Sequence, residues 1–163
     1  MDTDTIIKLK SGDGKEIELP KKAAIRSGLL KGIIDDFPDN NEFPVNQVKG
    51  EILEKVKEYL VHYQDEEPPK IETPLKSIEF KDCVSEWDNN YLGENIDLVF
   101  HLLNASNYMD IKSLLDLTSA KLGSKIKGIT SESVKIDFEI PELTNEDQNQ
   151  IMNLKKYLED SLE

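Results

Sequence analysis

Residues 94–128 read ENIDLVFHLLNASNYMDIKSLLDLTSAKLGSKIKG and contain the patterns of two consecutive helices. On a helical wheel, the apolar residues of the first helix cover more than half of its circumference. They are Ile96, Leu98, Val99, Phe100, Leu102, Leu103, Ala105 and Met109. A helix that is apolar around most of its circumference is typically buried by several neighbours. We therefore predict that this helix is the central helix of the domain.

A narrow polar stripe runs along the same helix and consists of Asp97, His101, Asn104 and Tyr108. The stripe ends at Asn107–Tyr108, where the first helix meets the second. Because polar side chains on an otherwise apolar helix face water, we expect this corner to lie at the surface.

The second helix is predicted to begin at Asp110, a residue type that caps the free N–H groups of a first helical turn. Its predicted apolar face consists of Ile111, Leu115, Thr118, Leu122 and Ile126. Gly128 is the predicted C-terminal stop, because glycine readily adopts the left-handed conformation that ends many helices. Three lysines in the last turns, Lys121, Lys125 and Lys127, are favourable there for the helix dipole.

The N-terminal region shows the alternation of a β-hairpin over residues 5–19, with the turn Ser11-Gly12-Asp13-Gly14. Pro20 precedes a short helical segment, and Ser27 is a predicted cap for the next helix. The buried face of that helix is predicted to contain Leu29, Leu30, Ile33, Ile34 and Phe37. Residues 43–45 are predicted to form an edge strand, because they contain a proline. A clear amphipathic helix follows over residues 50–63, with Ile52, Leu53, Val56, Leu60 and Tyr63 inward.

Residues 64–82 carry three prolines and many charges without periodicity, and are predicted to form an exposed, flexible linker. Order is expected to return near Cys83. Trp87 is either a binding hot spot or a core anchor, and the latter is the commoner role.

The chain has a formal net charge of −13 and a single arginine, Arg26. Nucleic-acid binding depends on Lys and Arg that neutralise phosphates, so this composition argues against it. The acidity favours solubility or electrostatic steering towards a basic partner. We find no apolar stretch that approaches 18 residues and no signal peptide, and so predict no membrane association. One cysteine excludes an internal disulfide and agrees with a reducing compartment.

The pattern of chemically reactive residues does not indicate an enzyme. His62 and His101 lie on different predicted helices without metal-ligand spacing, and Cys83 is interpreted as a bystander thiol. No phosphate-binding loop, dinucleotide motif or nucleophile elbow is present. We therefore predict no catalytic residues, no metal and no cofactor.

Beyond Gly128 the patterns are mixed. Residues 134–140 alternate as a strand would, although Thr130 and Ser131 are suitable helix caps. A last amphipathic helix follows Thr144, and its apolar face indicates a partner because little of the compact domain is left to cover it.

The order of these elements resembles that of the S-phase-kinase-associated adaptor family of SCF-type ubiquitin ligases. Residues 107–118, NYMDIKSLLDLT, are close to the family's ANYLDIKxLLDLTC. Trp87-Asp88 followed by Tyr91-Leu92 resembles WDxxFL, and residues 126–132 resemble the start of IKGKTPEE. The resemblance covers nearly the whole chain.

This resemblance implies an α+β, BTB/POZ fold over residues 1–128, in which a small mixed sheet is surrounded by helices. It also implies an F-box-binding helical extension over residues 129–163, with a helix rather than a strand at 130–138. The implied function is non-catalytic: the adaptor links F-box substrate receptors to the N-terminal region of a cullin, in cytoplasm and nucleus. Asn107 and Tyr108 are the implied cullin-binding residues. The implied F-box-binding residues are Lys127, Gly128, Val134, Phe138, Leu143, Ile151, Leu154 and Tyr157.

The chain departs from the family at two places. The family's Trp-Cys-Glu-Glu ending is replaced by Tyr157-Leu158-Glu159-Asp160, where a smaller ring predicts altered F-box affinity or selectivity. Asn145 stands where the family often has proline, which excludes proline hydroxylation there.

Two other functions fit parts of the pattern. An elongin-C-type adaptor is one, although that family usually ends soon after the second helix. An F-box-binding subunit of a non-ligase assembly, such as a kinetochore complex, is the other. A homodimer is possible when the F-box partner is absent, because apolar surface is then exposed.

Overall fold

The computed structural model describes residues 5–72, 75–77 and 79–126. Three strands in this part of the chain form one sheet: β1 (Ile6–Ser11), β2 (Glu16–Pro20) and β3 (Glu42–Val45). β1 is central, pairing antiparallel with β2 and parallel with β3. The predicted hairpin, the edge position of β3 and the small mixed sheet are thus confirmed.

The hairpin forms because its apolar residues alternate, and Ile7, Leu9, Ile17 and Leu19 are all buried. Its turn also reaches the next layer of the fold. One carboxylate oxygen of Asp13 accepts a hydrogen bond of 2.9 Å from the backbone N–H of Gly50. Gly50 is the first residue of a helix, so a residue of the hairpin turn satisfies a free donor of that helix.

Six α-helices and one 3₁₀ turn surround the sheet in the described residues. They are α1 (Lys21–Ala24), α2 (Gly28–Asp36), α3 (Gly50–His62), the 3₁₀ turn (Phe80–Asp82), α4 (Glu86–Leu92), α5 (Ile96–Tyr108) and α6 (Lys112–Ile126). Ser27 caps α2 as predicted, since its side chain accepts a hydrogen bond from the backbone N–H of Leu30. The predicted burial of Phe37 is wrong: this residue lies past the end of α2 and is 61% exposed.

Helix α3 buries the predicted apolar face, because Ile52, Leu53, Val56, Leu60 and Tyr63 are all buried. An aromatic cluster joins α3 to α4. The ring of Trp87 stacks on His62 at a centroid distance of 3.6 Å and on Tyr91 at 5.0 Å. Trp87 is only partly buried, so it is a packing residue at the edge of the core.

Helix α5 packs against α3 and α6, and its fully buried face contains Val99, Leu102 and Ala105. The predicted burial of its apolar residues is wrong at Phe100, which is 40% exposed.

Helix α6 buries part of the predicted apolar face, because Thr118 and Leu122 are buried. Leu115 is half-buried and Ile126 is exposed, whereas Leu114 and Leu117, which were not in the predicted face, are buried. Lys121, also outside that face, is buried as well. The buried face is shifted relative to the prediction because α5 and the 3₁₀ turn both pack against the helix.

The segment that follows α3 contacts the N-terminal helices. The Arg26 guanidinium lies 2.6 Å from a carboxylate oxygen of Glu67, and Lys22 pairs with Asp65. The prediction that residues 64–82 are exposed throughout is wrong at Phe80, which is buried against α6. The flexibility of this segment stays a prediction.

Candidate partner-binding site

The corner between α5 and α6 is a tight, fully hydrogen-bonded turn. The backbone N–H of Ile111 donates to the carbonyl of Ser106 at 2.9 Å, and that of Asp110 donates to the carbonyl of Asn107 at 3.3 Å. This pair of bonds defines a Schellman motif, which closes a helix C-terminus through one left-handed residue. Asp110 is that residue, with a φ of 51°. The prediction that Asp110 caps α6 is therefore wrong, and α6 begins two residues later.

The N-terminus of α2 holds this corner in place. The backbone N–H groups of Gly28 and Leu29 donate to the carbonyls of Asp110 and Met109, at 3.0 and 3.2 Å. The Ser27 hydroxyl also donates to the Met109 carbonyl. The free donors of one helix end thus satisfy the free acceptors of another, so neither set is left unpaired.

The close approach at this contact leaves little space for a side chain at Gly28. A Cβ atom added to Gly28 would lie 2.0 Å from one carboxylate oxygen of Asp110 and 2.8 Å from its Cγ. Position 28 therefore accommodates no side chain unless Asp110 moves.

The two residues implied for cullin binding lie at this corner. Asn107 is exposed and Tyr108 is half-buried, as the last two residues of α5. Tyr108 also borders a cavity of about 230 Å³ between α5 and the start of α3. The other lining residues are Gln47, Val48, Lys49, Ile52, His101, Asn104 and Ala105.

The polar stripe is exposed along α5 up to this corner, as predicted. Asp97, His101 and Asn104 are exposed, and His101 Nε2 lies 3.6 Å from a carboxylate oxygen of Asp97. The stripe, the cavity and the corner are neighbours, because His101, Asn104 and Tyr108 all line the cavity. Helix α2 holds the corner end of this surface through Met109 and Asp110.

The residues implied for F-box binding lie outside the described part of the chain. They are Lys127, Gly128, Val134, Phe138, Leu143, Ile151, Leu154 and Tyr157. These assignments stay predictions. The described chain ends at Ile126, directly before the first two of them.

A second group of residues near this point was missed in the sequence. One carboxylate oxygen of Glu94 lies 2.8 Å from Lys121 Nζ, and the other lies 2.7 Å from Lys125 Nζ. The hydrogen bonds from Lys121 and then from Lys125 lower the pKa of Glu94 below its ordinary value. The sequence signal was a glutamate directly before one helix and two lysines four apart on the next, a pattern too common to stand out.

The described residues contain no group of three or more His, Cys, Asp or Glu side chains arranged to hold a metal ion. Within the same residues, no helix is both long enough and apolar enough to cross a membrane. The Cys83 thiol is partly buried and lies 3.7 Å from the carbonyl oxygen of Ser77.

Comparison with known proteins places this chain in a family. Residues 5–65 match the profile described as Skp1 family, tetramerisation domain. The chain is 36% identical over 159 residues to "S-phase kinase-associated protein 1 homolog" of Tetrahymena thermophila, an alignment that covers 96% of both chains. It is 31% identical to "E3 ubiquitin ligase complex SCF subunit sconC" of Arthroderma otae, covering 94% of both. At this identity and coverage, the chain belongs to the Skp1 family.

Proposed function

We propose that this protein is the adaptor subunit of an SCF-type E3 ubiquitin ligase. The adaptor catalyses nothing itself: it joins an F-box substrate receptor to the N-terminal region of a cullin, and thereby promotes ubiquitination of the bound substrate. We also propose that it acts in the cytoplasm and the nucleus.

One observation carries this proposal. The chain aligns over more than nine-tenths of its length with two relatives. One is named as an S-phase kinase-associated protein, and the other is named as a subunit of an SCF complex. The alignments therefore extend well beyond Gly128, which favours an adaptor with an F-box-binding extension over one of the elongin-C type.

The geometry of the corner supports its role as the cullin-binding surface. An exposed amide and a half-buried tyrosine provide hydrogen-bonding groups and an aromatic surface, as interfaces often do. Their backbone is fixed in α5, and the next two residues are bonded by α2, so little conformational entropy is lost when a partner binds. Residues 129–163 provide the F-box-binding surface in this proposal.

Affinity purification from the native cell lysate tests both surfaces. Tagged full-length chain is compared with the variant Asn107→Lys/Tyr108→Lys, and bound proteins are identified by mass spectrometry. We expect F-box proteins with both chains and a cullin with the unmodified chain alone. The matched control is Asn40→Lys/Asn41→Lys, which adds the same charge at two exposed positions before β3 and should retain the cullin.

The alternative outcomes separate the competing functions. F-box proteins without any cullin would replace the ligase function by a non-ligase assembly. If neither class of protein is captured, the proposed function is wrong, whereas membership of the family is unaffected.

A further inference from the structure

Lys121 is an unusual residue of α6, because its charged side chain is only 2% exposed. Its ammonium nitrogen lies 2.8 Å from Glu94 and 4.8 Å from the centre of the Phe80 ring. Glu94 itself is 72% exposed, so this ion pair has one buried and one solvated partner. We refer to Phe80, Glu94, Lys121 and Lys125 as the Glu94 cluster.

Burial of an ammonium group is unfavourable unless a counter-ion and hydrogen bonds replace its hydration. Glu94 provides the counter-ion, and the Phe80 ring face adds a cation–π interaction. The same carboxylate also holds Lys125, one turn further along α6. A single carboxylate thus bonds two lysines of the last turns of α6, in addition to the packing of the buried Leu122.

The Glu94 cluster joins three parts of the chain that are separate in sequence. Phe80 lies in the 3₁₀ turn, Glu94 lies between α4 and α5, and both lysines lie near the end of α6. Lys125 is two residues before Lys127, the first residue predicted to contact an F-box. The Glu94 cluster therefore lies close in sequence to the predicted F-box-binding residues.

We propose that Glu94 is a positioning residue for F-box binding: it holds Lys121 and Lys125, and so fixes the last turns of α6, which directly precede the first predicted F-box-binding residues in the sequence. This inference rests on the proposed function, since it assigns a control point to one of the adaptor's two surfaces. The other surface, at Asn107 and Tyr108, lies at the opposite end of α6 and is anchored by α2.

A merely structural role predicts a different result from a positioning role. General destabilisation weakens both partner interactions together, whereas loss of positioning weakens F-box binding alone. The effect of Glu94→Gln on F-box binding should also depend on the presence of Lys121, because the buried ammonium group needs the carboxylate as its counter-ion. This dependence further distinguishes a positioning role from a merely structural one.

The test uses the full-length chain with the substitution Glu94→Gln, which keeps the side-chain shape and removes the charge. The probes are an F-box domain and a cullin N-terminal region, both expressed from proteins captured by the unmodified chain, with affinities measured by calorimetry. Hydrogen exchange of amides 119–126 is measured on each chain without partner. Glu58→Gln is the matched control, because it removes an ion pair of 2.8 Å between two partly exposed residues of α3.

We expect Glu94→Gln to weaken F-box binding about fivefold, to change cullin binding less than twofold, and to accelerate exchange over 119–126. The control should change none of these. In a Lys121→Met background, where the buried charge is absent, the loss caused by Glu94→Gln should be at least threefold smaller. F-box affinity within twofold of the unmodified chain, or equal losses for both partners, would overturn the proposal.

Failure of the proposed function is separately visible. If the unmodified chain captures no F-box domain, the adaptor function is wrong and the F-box part of this inference is overturned with it. The exchange measurement still decides whether Glu94 holds the end of α6, because it requires no partner.

Discussion

The two ends of helix α6 are anchored by different kinds of interaction. At its beginning, backbone N–H groups of α2 bond to the carbonyls of Met109 and Asp110. At its end, the side chains of Lys121 and Lys125 bond to the Glu94 carboxylate. Backbone N–H and carbonyl groups are uncharged and do not titrate in the ordinary pH range. The strength of an ion pair, in contrast, depends on pH and on salt concentration. The two ends of α6 therefore differ in how pH and salt can affect them.

The largest effect is expected at the backbone anchor, from Gly28→Ala. The added Cβ would lie 2.0 Å from Asp110, so either the α2 contact opens or Asp110 moves. We expect a loss of about 2 kcal/mol in the free energy of unfolding, measured by urea denaturation. Gly32→Ala is the control in the same helix, because a Cβ there meets nothing within 4 Å, and it should stabilise by about 0.5–1 kcal/mol. Equal effects at the two glycines would show that the close approach is unimportant.

A smaller effect is expected at the side-chain anchor. Glu94→Gln should lower the free energy of unfolding by about 1 kcal/mol, less than for a fully buried pair because Glu94 is largely solvated. Lys121→Met should be neutral or stabilising, because a thioether of similar length occupies the buried space without a desolvation cost. Urea denaturation of both variants measures this asymmetry. A larger loss for Lys121→Met than for Glu94→Gln would contradict it.

Acid should reduce the difference between Glu94→Gln and the unmodified chain. The pKa of Glu94 is lower in the folded protein than its ordinary value of 4.5, so its stabilisation is fully present above that value. It is lost as the pH falls below about 4.5 and through the folded-state pKa. Denaturation of both proteins between pH 7 and pH 3.5 measures the change. The loss caused by Gly28→Ala should stay constant over this range as long as both chains fold.

The smallest effect, with the opposite sign, is expected for Asp110→Gly. Asp110 occupies the left-handed position of a Schellman motif, where glycine avoids the contact between Cβ and the backbone. We expect stabilisation by about 0.5 kcal/mol in urea denaturation. In this background Gly28→Ala should become less costly, because the clashing carboxylate is absent. An undiminished loss in the double variant would assign the cost to something other than Asp110.

Elements set by neighbouring residues were predicted from the sequence. The hairpin follows from the alternation of apolar and polar residues, and the buried face of α3 follows from helical periodicity. The Ser27 cap requires only a hydroxyl three residues before the backbone N–H that it accepts from. The exposed corner followed from the polar stripe of α5. All of these need only local information.

The features that the sequence did not predict depend on partners distant in the chain. Lys121 is buried only because Glu94 and Phe80, 27 and 41 positions earlier, lie beside it. Aspartate is common at helix starts, so the sequence indicates a cap at Asp110. The turn that Asp110 forms instead is held by α2, whose cap Ser27 bonds to Met109, 82 residues later in the chain. The buried face of α6 was predicted only in part for the same reason, since periodicity alone does not show that a lysine is inside.

The stacking of Trp87 between His62 and Tyr91 has a spectroscopic consequence. Trp87 is the only tryptophan in the chain, so its fluorescence and near-ultraviolet circular dichroism report the docking of α4 on α3. They do not directly observe either end of α6. A denaturation curve recorded by tryptophan emission should therefore be compared with far-ultraviolet dichroism, which sums over all the helices. Curves that coincide would mean that the α3–α4 contact and the helices are lost in one cooperative transition.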